Sequence, residues 1–560
     1  MADRRLRSVS RGVPLSLAAL FVLAGHTPAG ANPAVEMSTS ACSHLRAEEK
    51  HESRRAERRE SEAHQRSERR TARRCRMKHE RAGSGIEKIK HVVVVMQENR
   101  SFDTYFGTFP GADGLPRDKK GEFTACVPDP RAGNCQKPFH SSADTNAGGP
   151  HYHDSADADI DGGKMDGFIK TVEQSQDLDT DKLSCTVAGK APSCVDVMGY
   201  KDGRDIPNYW AYARNFVLQD HMFEPADTWS LPAHLFMVSA WSATCTTPGV
   251  VSSCSTDLGF PDHDGVFSDN PFVAQGNGAA VGILGSTDKD DIEGGATPDY
   301  AWTDITWLLH KYGVSWRYYL EQGTQPDCPS GAMTCEPGAQ AVRTPEIWNP
   351  LVDFSTVQDN GQLGNIVPAT QFFQDAASGR LPAVSWVIPS GDDSEHPFGT
   401  VSSGQRHVTE VVNALMTGPE WKSTAIFVAW DDWGGFYDHV PPPVVGGQQY
   451  GLRVPGLVIS PYARKGYVDH QTLSFDAYLR FIEDDFLSGR RLDPATDGRP
   501  DPRPSVRETA AGLGDLQKDF DFSRNPRAPM PMPAPTRNFP GPTPLPQPYL
   551  PIPPPPGGSG

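Results

Sequence analysis

Two places in this 560-residue chain set oxygen-bearing side chains directly behind an apolar run. Behind the β-branched run 90–96 come Gln97, Glu98, Asn99 and Arg100. Behind the run 424–430 come Asp431, Asp432, Trp433, Gly434 and Gly435. Carboxylate and amide oxygens are hard donors suited to a divalent cation. Two adjacent aspartates repel each other at a buried site unless a cation or a shared proton offsets the charge. Glu98, Asn99, Asp431 and Asp432 would therefore supply four oxygen ligands to one divalent ion from opposite sides of a crevice. Ordinary capping of the following turn or helix is the competing use of each pair alone. Two equivalent strand ends together favour the cation. Such donors leave Mg, Ca, Mn and Zn open.

Ser230 stands in Ser230-Leu231-Pro232-Ala233-His234, after an acidic approach that includes Asp220, His221 and Glu224. A serine hydroxyl attacks well only when a base or metal lowers its pKa. A serine at a helix start also serves as an N-cap, and nothing local separates the two uses. His151, with His153 beside it, and His396 lie in polar, Gly-rich segments. Each could contact phosphate oxygens or protonate a leaving group, as could His439 after Asp438. An isolated surface histidine is the plainer alternative for each.

The elements that must position these groups alternate in type. Strand-like runs at 90–96, 384–388, 424–430 and 455–460, and a weaker one at 281–284, are short and β-branched, as in strands buried on both faces. Helical stretches at 303–312, 404–416 and 473–487 lie among them, the last with Ser474 as N-cap. This order predicts an α/β fold with a mostly parallel central sheet flanked by helices. Ligands of such sheets bind beyond the carboxyl ends of the strands, where both oxygen-rich pairs fall.

The rest of the chain sets the context. With 53 Lys+Arg against 70 Asp+Glu, the formal net charge is −17, which argues against nucleic acid as a partner. Residues 1–31 read as a signal peptide: Arg4, Arg5, Arg7 and Arg11, an apolar run over 13–25, and Ala29-Gly30-Ala31 before the expected cleavage. The protein is therefore expected to be secreted or periplasmic. A charged helical or disordered arm occupies 32–85, with 14 Lys+Arg and 8 Glu between 46 and 81. The catalytic body is placed at 86–490 and a linker with a Pro-rich, disordered tail at 491–560. Eight of the ten cysteines fall in close consecutive pairs, Cys126/Cys135, Cys185/Cys194, Cys245/Cys254 and Cys328/Cys335. In an oxidising compartment these suggest local disulfides stapling long loop insertions.

The segments HVVVVMQENRSFDTYFG (91–107), GGKMDGF (162–168), SLPAH (230–234), SEHP (394–397), WDDWGGFYDHVPPP (430–443) and GLRVPGLVISPYAR (451–464) occur in this order over the body. In this the chain resembles the bacterial phosphoesterases that include phosphatidylcholine-type phospholipases C and acid phosphatases, of the alkaline-phosphatase-like superfamily. The resemblance implies that Glu98 and Asn99 form the first pair of metal ligands and Asp431 and Asp432 the second. It places Ser230 at the nucleophile, often serine in acid phosphatases and threonine in many phospholipases C. It sets His396 and His151 at the phosphate site. Ala233 departs from the asparagine usual there, and Asp432 replaces a frequent glutamate.

The implied mechanism is phosphoryl transfer through a phosphoserine, with a phosphoester or phospholipid as substrate. Peripheral membrane contact and oligomeric state stay open. A sulfatase is disfavoured, since no CxPxR-type segment is present. The alternative from another class is a catalytically inactive surface binding protein that retains the fold.

Overall fold

The strand-forming runs assemble into one eight-stranded sheet. In chain order its strands are β1 His91–Gln97, β2 Val217–Gln219, β3 Trp316–Leu320, β4 Ile366–Pro368, β5 Val384–Ile388, β6 Thr424–Trp430, β7 Gly456–Ile459 and β8 Tyr467–Asp469. Their spatial order is β4-β3-β5-β1-β6-β7-β2-β8. Every neighbouring pair is parallel except those of β7, which runs antiparallel to both β6 and β2. The computed structural model describes residues 85–175, 194–259, 300–327 and 337–535, apart from 248, 345 and 398. The described residues show the expected α/β class.

β1 is the middle of this arrangement. Val92 to Met96 are all fully buried, as are Ala425 to Trp430 of β6. A strand covered on both faces cannot alternate polar and apolar residues, and these do not. Helices supply the cover: Ala369–Ser378 packs on Val401–Thr417, and Phe475–Leu487 packs on Ser230–Ser239. Ser474 stands at the N-cap of the last helix, but without a capping bond. Its hydroxyl donates to the Asp476 carboxylate at 2.8 Å instead.

Register does the positioning. β1 and β6 pair residue for residue from His91↔Thr424 to Gln97↔Trp430. Both seven-residue strands therefore end level, and the Asp431 amide still donates to the Gln97 carbonyl at 2.9 Å. The next residues, Glu98-Asn99 and Asp431-Asp432, are forced side by side at the carboxyl edge.

The expected loop staples are present where the structure describes them. Cys126 pairs with Cys135, and Cys245 with Cys254. Cys194 is also disulfide-bonded, while Cys185, Cys328 and Cys335 lie outside the described residues, as does the run 281–284. Beyond 490 the chain continues along the body. Trp421 Nε1 donates to the Arg527 carbonyl at 3.1 Å, Asn413 Nδ2 to Met532 at 2.7 Å, and Asn208 Nδ2 to Pro533 at 2.9 Å. Residues 526–535, the start of the proline-rich stretch, are thus tied to the body. No helix among the described residues is long and apolar enough to cross a membrane.

Candidate active site

Asn99 turns the chain sharply after β1 by adopting φ 57°, a left-handed conformation that asparagine tolerates better than most residues. This brings the Asn99 amide onto Asp431 Oδ1 at 2.8 Å and Asn99 Nδ2 onto Asp432 Oδ1 at 2.7 Å. The two strand ends are locked together. Asn99 Oδ1 and Asp431 Oδ2 are left buried without a hydrogen-bond partner.

Ser230 opens the helix Ser230–Ser239 as its first residue, with Trp229 at the N-cap. Its hydroxyl lies 3.3 Å from Asp432 Oδ2 and 3.5 Å from Glu98 Oε2. The capping alternative is therefore not the one used. One turn later on the same helix face, His234 Nε2 sits 3.1 Å from Glu98 Oε1. Ligand atoms of Glu98, His234 and Asp431 all lie within 4.8 Å of one another. Glu224 adds a further buried carboxylate: Oε1 accepts from the Leu452 amide at 2.7 Å, and Oε2 has no partner.

Glu98, Glu224, Asp431 and Asp432 are all fully buried. Among the described residues, His234 is the one basic side chain within ion-pairing distance of these four. Burial and the Asp431 charge hold Glu98 and Asp432 well above the usual carboxylate range. Burial and Asp432 do the same to Glu224. A buried cluster of this kind needs a cation to ionise at neutral pH. The orphaned Asn99 and Asp431 oxygens are the donors such a cation would take. The residues fit a divalent ion.

The sequence-derived histidines meet elsewhere in the site, around a carboxylate that sequence reasoning did not find. His396 Nε2 is 3.0 Å and His151 Nε2 3.7 Å from Asp327 Oδ1. Trp348 Nε1 donates to Asp327 Oδ2 at 2.5 Å. Burial opposes charge on His151, yet Asp432 and Asp327 push it up to about 10. The two groups adjoin: the Trp348 ring lies 6.4 Å from the His234 ring and 6.2 Å from that of His396.

Glycines make room for His151. Gly435 has φ 71°, and a Cβ on it would fall 2.3 Å from Gly149 Cα. Gly434 also has positive φ, and its carbonyl accepts the Gly149 amide at 2.9 Å. The 149–151 segment thus docks on the turn that follows Asp432. Gly435→Ala is expected to cost about 2–4 kcal/mol, since strain and a backbone clash coincide. A denaturant midpoint shifted by no more than a surface substitution shifts it would contradict this.

The remaining candidates fall outside the site. His153 Nδ1 bonds the Asp227 carbonyl at 2.7 Å. His439 belongs to a separate ion cluster, with Nδ1 2.7 Å from Asp103 Oδ2 and Arg453 bridging Asp103 and Asp438. Glu395, beside His396, is structural: Tyr105, Tyr209 and Trp430 all donate to its carboxylate.

The wall behind His151 carries a pH signature. Trp433 Nε1 donates to Asp159 at 2.9 Å, and burial pushes this carboxyl up to about 8 against that bond. The folded state then keeps a proton that the unfolded chain loses near pH 4, so stability falls as pH rises from about 4 towards 8. Asp159→Asn should flatten this dependence. Parallel melting curves of the variant and wild type between pH 5 and 8 would contradict it.

The sheet is of the α/β class and carries an oxygen-rich cluster at its carboxyl edge, and comparison with known proteins supplies the family. The phosphoesterase family model matches residues 89–487, and the chain belongs to that family. It is 28% identical to the non-hemolytic phospholipase C of Burkholderia pseudomallei over 490 residues, covering 78% of this chain and 60% of that one. Phospholipase C B of Mycobacterium tuberculosis is 26% identical over 484 residues, covering 78% of each. Non-specific phospholipase C1 of Arabidopsis thaliana is 27% identical over 425 residues, covering 68% of this chain and 62% of its own. The chain thus spans under two thirds of the Burkholderia and Arabidopsis relatives.

Proposed function

We propose that the protein is an exported, metal-dependent phosphoric ester hydrolase that uses Ser230 as nucleophile and passes through a phosphoserine. The observation that carries this reading is the Ser230 hydroxyl. It is free of any capping duty and lies against Asp432 and Glu98, in a carboxylate cluster with orphaned oxygens. Glu98, Asn99, Asp431 and Asp432, with His234 beside them, would hold one divalent ion. When bound, such an ion lowers the pKa of a hydroxyl and offsets charge on a phosphoryl group.

The chain's own residues do the rest. Asp432, 3.3 Å from the Ser230 hydroxyl, accepts its proton as Oγ attacks phosphorus and the bond to the leaving oxygen breaks. Ser230 opens a ten-residue helix, whose first amides favour the negative phosphoryl oxygens. His396 or His151 gives a proton to the departing oxygen, and the water that later attacks the phosphoserine replaces it. Water then releases the phosphoryl group from Ser230 and restores the enzyme.

Export is supported by the basic and apolar leader within residues 1–31 and by the two described disulfides. The names of the relatives point to a phospholipid diester, whereas serine at position 230 leans towards a monoester. The deciding assay sets p-nitrophenylphosphorylcholine against p-nitrophenyl phosphate, with and without chelator. Chelator-sensitive release of p-nitrophenol from either supports the hydrolase, and the preferred substrate fixes its type. No release from either with Mg, Ca, Mn or Zn supplied would favour the inactive binding protein.

A further inference from the structure

We infer that the Gly259 carbonyl is a clamp that sets the Ser230 side of the site against the His151 side, with Trp229 and Tyr152 as positioning residues. Its catalytic role rests on the hydrolase reading above. Trp229 precedes Ser230 and is the N-cap of the helix Ser230–Ser239. Tyr152 follows His151 and is the N-cap of the helix His153–Ile160. Neither side chain bonds its own helix. Both reach one acceptor instead, which a carbonyl oxygen with two lone pairs allows. Trp229 Nε1 donates to the Gly259 carbonyl at 2.8 Å, and the Tyr152 hydroxyl donates to the same oxygen at 2.5 Å. Their rings lie 5.5 Å apart, inclined by 38°. Thr228 Oγ1 donates to the neighbouring Leu258 carbonyl. Three donors beside the two reacting residues thus converge on two consecutive carbonyls.

Gly259 is itself held from behind by a stapled hairpin. Its strands are Ala243–Cys245 and Cys254–Thr256, and the disulfide joins Cys245 to Cys254, directly opposite each other. Asp257 carries the chain out of the hairpin. Its amide donates to the Ser242 carbonyl at 3.1 Å, and Ser242 Oγ donates to the Asp257 carbonyl at 2.7 Å. The Asp257 carboxylate accepts the Thr244 hydroxyl at 2.6 Å and the Gly259 amide at 2.8 Å. The clamp is therefore fixed by its own bonds as well as by those to Trp229 and Tyr152. Its use follows from where Ser230 and His151 stand. Strand register fixes Glu98 against Asp431, but Ser230 opens a helix and His151 lies off the sheet. In-line transfer needs the nucleophile and the proton donor on opposite sides of phosphorus, so their spacing enters the rate. The clamp supplies that spacing.

The test is a double-mutant cycle. Tyr152→Phe and Trp229→Phe each remove one donor to Gly259 and keep an aromatic ring. In full-length protein, kcat and KM are measured on the two p-nitrophenyl esters, beside metal content and thermal midpoint. Each single variant is expected to lose about 10-fold in kcat, with KM and metal content as in wild type. Removing either bond unlinks the two sides, so the double variant should also lose about 10-fold, not the product of about 100-fold. Unchanged kcat in Tyr152→Phe overturns the inference, and so does a multiplicative loss in the double variant. If Trp229→Phe fails to fold, Cys245→Ser with Cys254→Ser takes its place with the same expectation. The readings fail separately. A wild type that hydrolyses neither ester sinks the hydrolase and, with it, the clamp's catalytic role. An active wild type matched by Tyr152→Phe retains the hydrolase and sinks the clamp alone.

Discussion

Ser230→Ala should fold as wild type and lose about 10,000-fold or more in kcat, equivalent to about 5.5 kcal/mol of transition-state stabilisation. The large effect follows from removing the atom that forms the covalent bond. The small structural effect follows from what the hydroxyl does not do. It caps no helix, and its polar neighbours are the carboxylates of Asp432 and Glu98. Alanine at the first helical position also costs nothing in helix propensity. Thermal midpoint and metal content should match wild type while turnover of both p-nitrophenyl esters collapses. Near-wild-type turnover would remove Ser230 from the mechanism.

Asp431→Asn should lower metal affinity by about 100-fold or more, because even residues behind the ligands are worth 10–100-fold. Asp431 Oδ1 already accepts the Asn99 amide, and Oδ2 is the orphaned atom. Asparagine keeps the first contact but turns an NH2 towards a cation in place of the second. Activity should fall with metal content and recover in part as metal is added. The metal-free proteins should show the opposite order of stability. Asparagine places no carboxylate among the buried Glu98 and Asp432 carboxyls and so removes the cost of burying charge there, and apo Asp431→Asn should melt above apo wild type. Metal binding and activity both unchanged would show that Asp431 is no ligand.

The parts of the fold readable from sequence were those where one physical demand dominated. β1, β5 and β6 are buried on both faces, and their uninterrupted apolar runs say so. The short strands β2, β4 and β8 have three residues each, too few for any period to show. β3 carries Arg317 amid aromatic residues, which hides its strand character. The site divides likewise. The paired oxygen donors were legible because strand ends announce themselves. His234 had a usable signal, standing four residues after Ser230 and hence on the same helix face. Glu224 showed only as part of the acidic approach to Ser230, and Asp327 had no signal: neither ends a long apolar run, and tertiary packing brings both to the site.

The central claim is that a covalent serine intermediate carries the reaction, and stereochemistry at phosphorus tests it most directly. Each in-line displacement inverts configuration, so two in succession restore it. A substrate made chiral with oxygen isotopes and hydrolysed in labelled water should therefore give product of retained configuration. Inversion would mean that water attacks the ester directly, and that Ser230 is not the nucleophile.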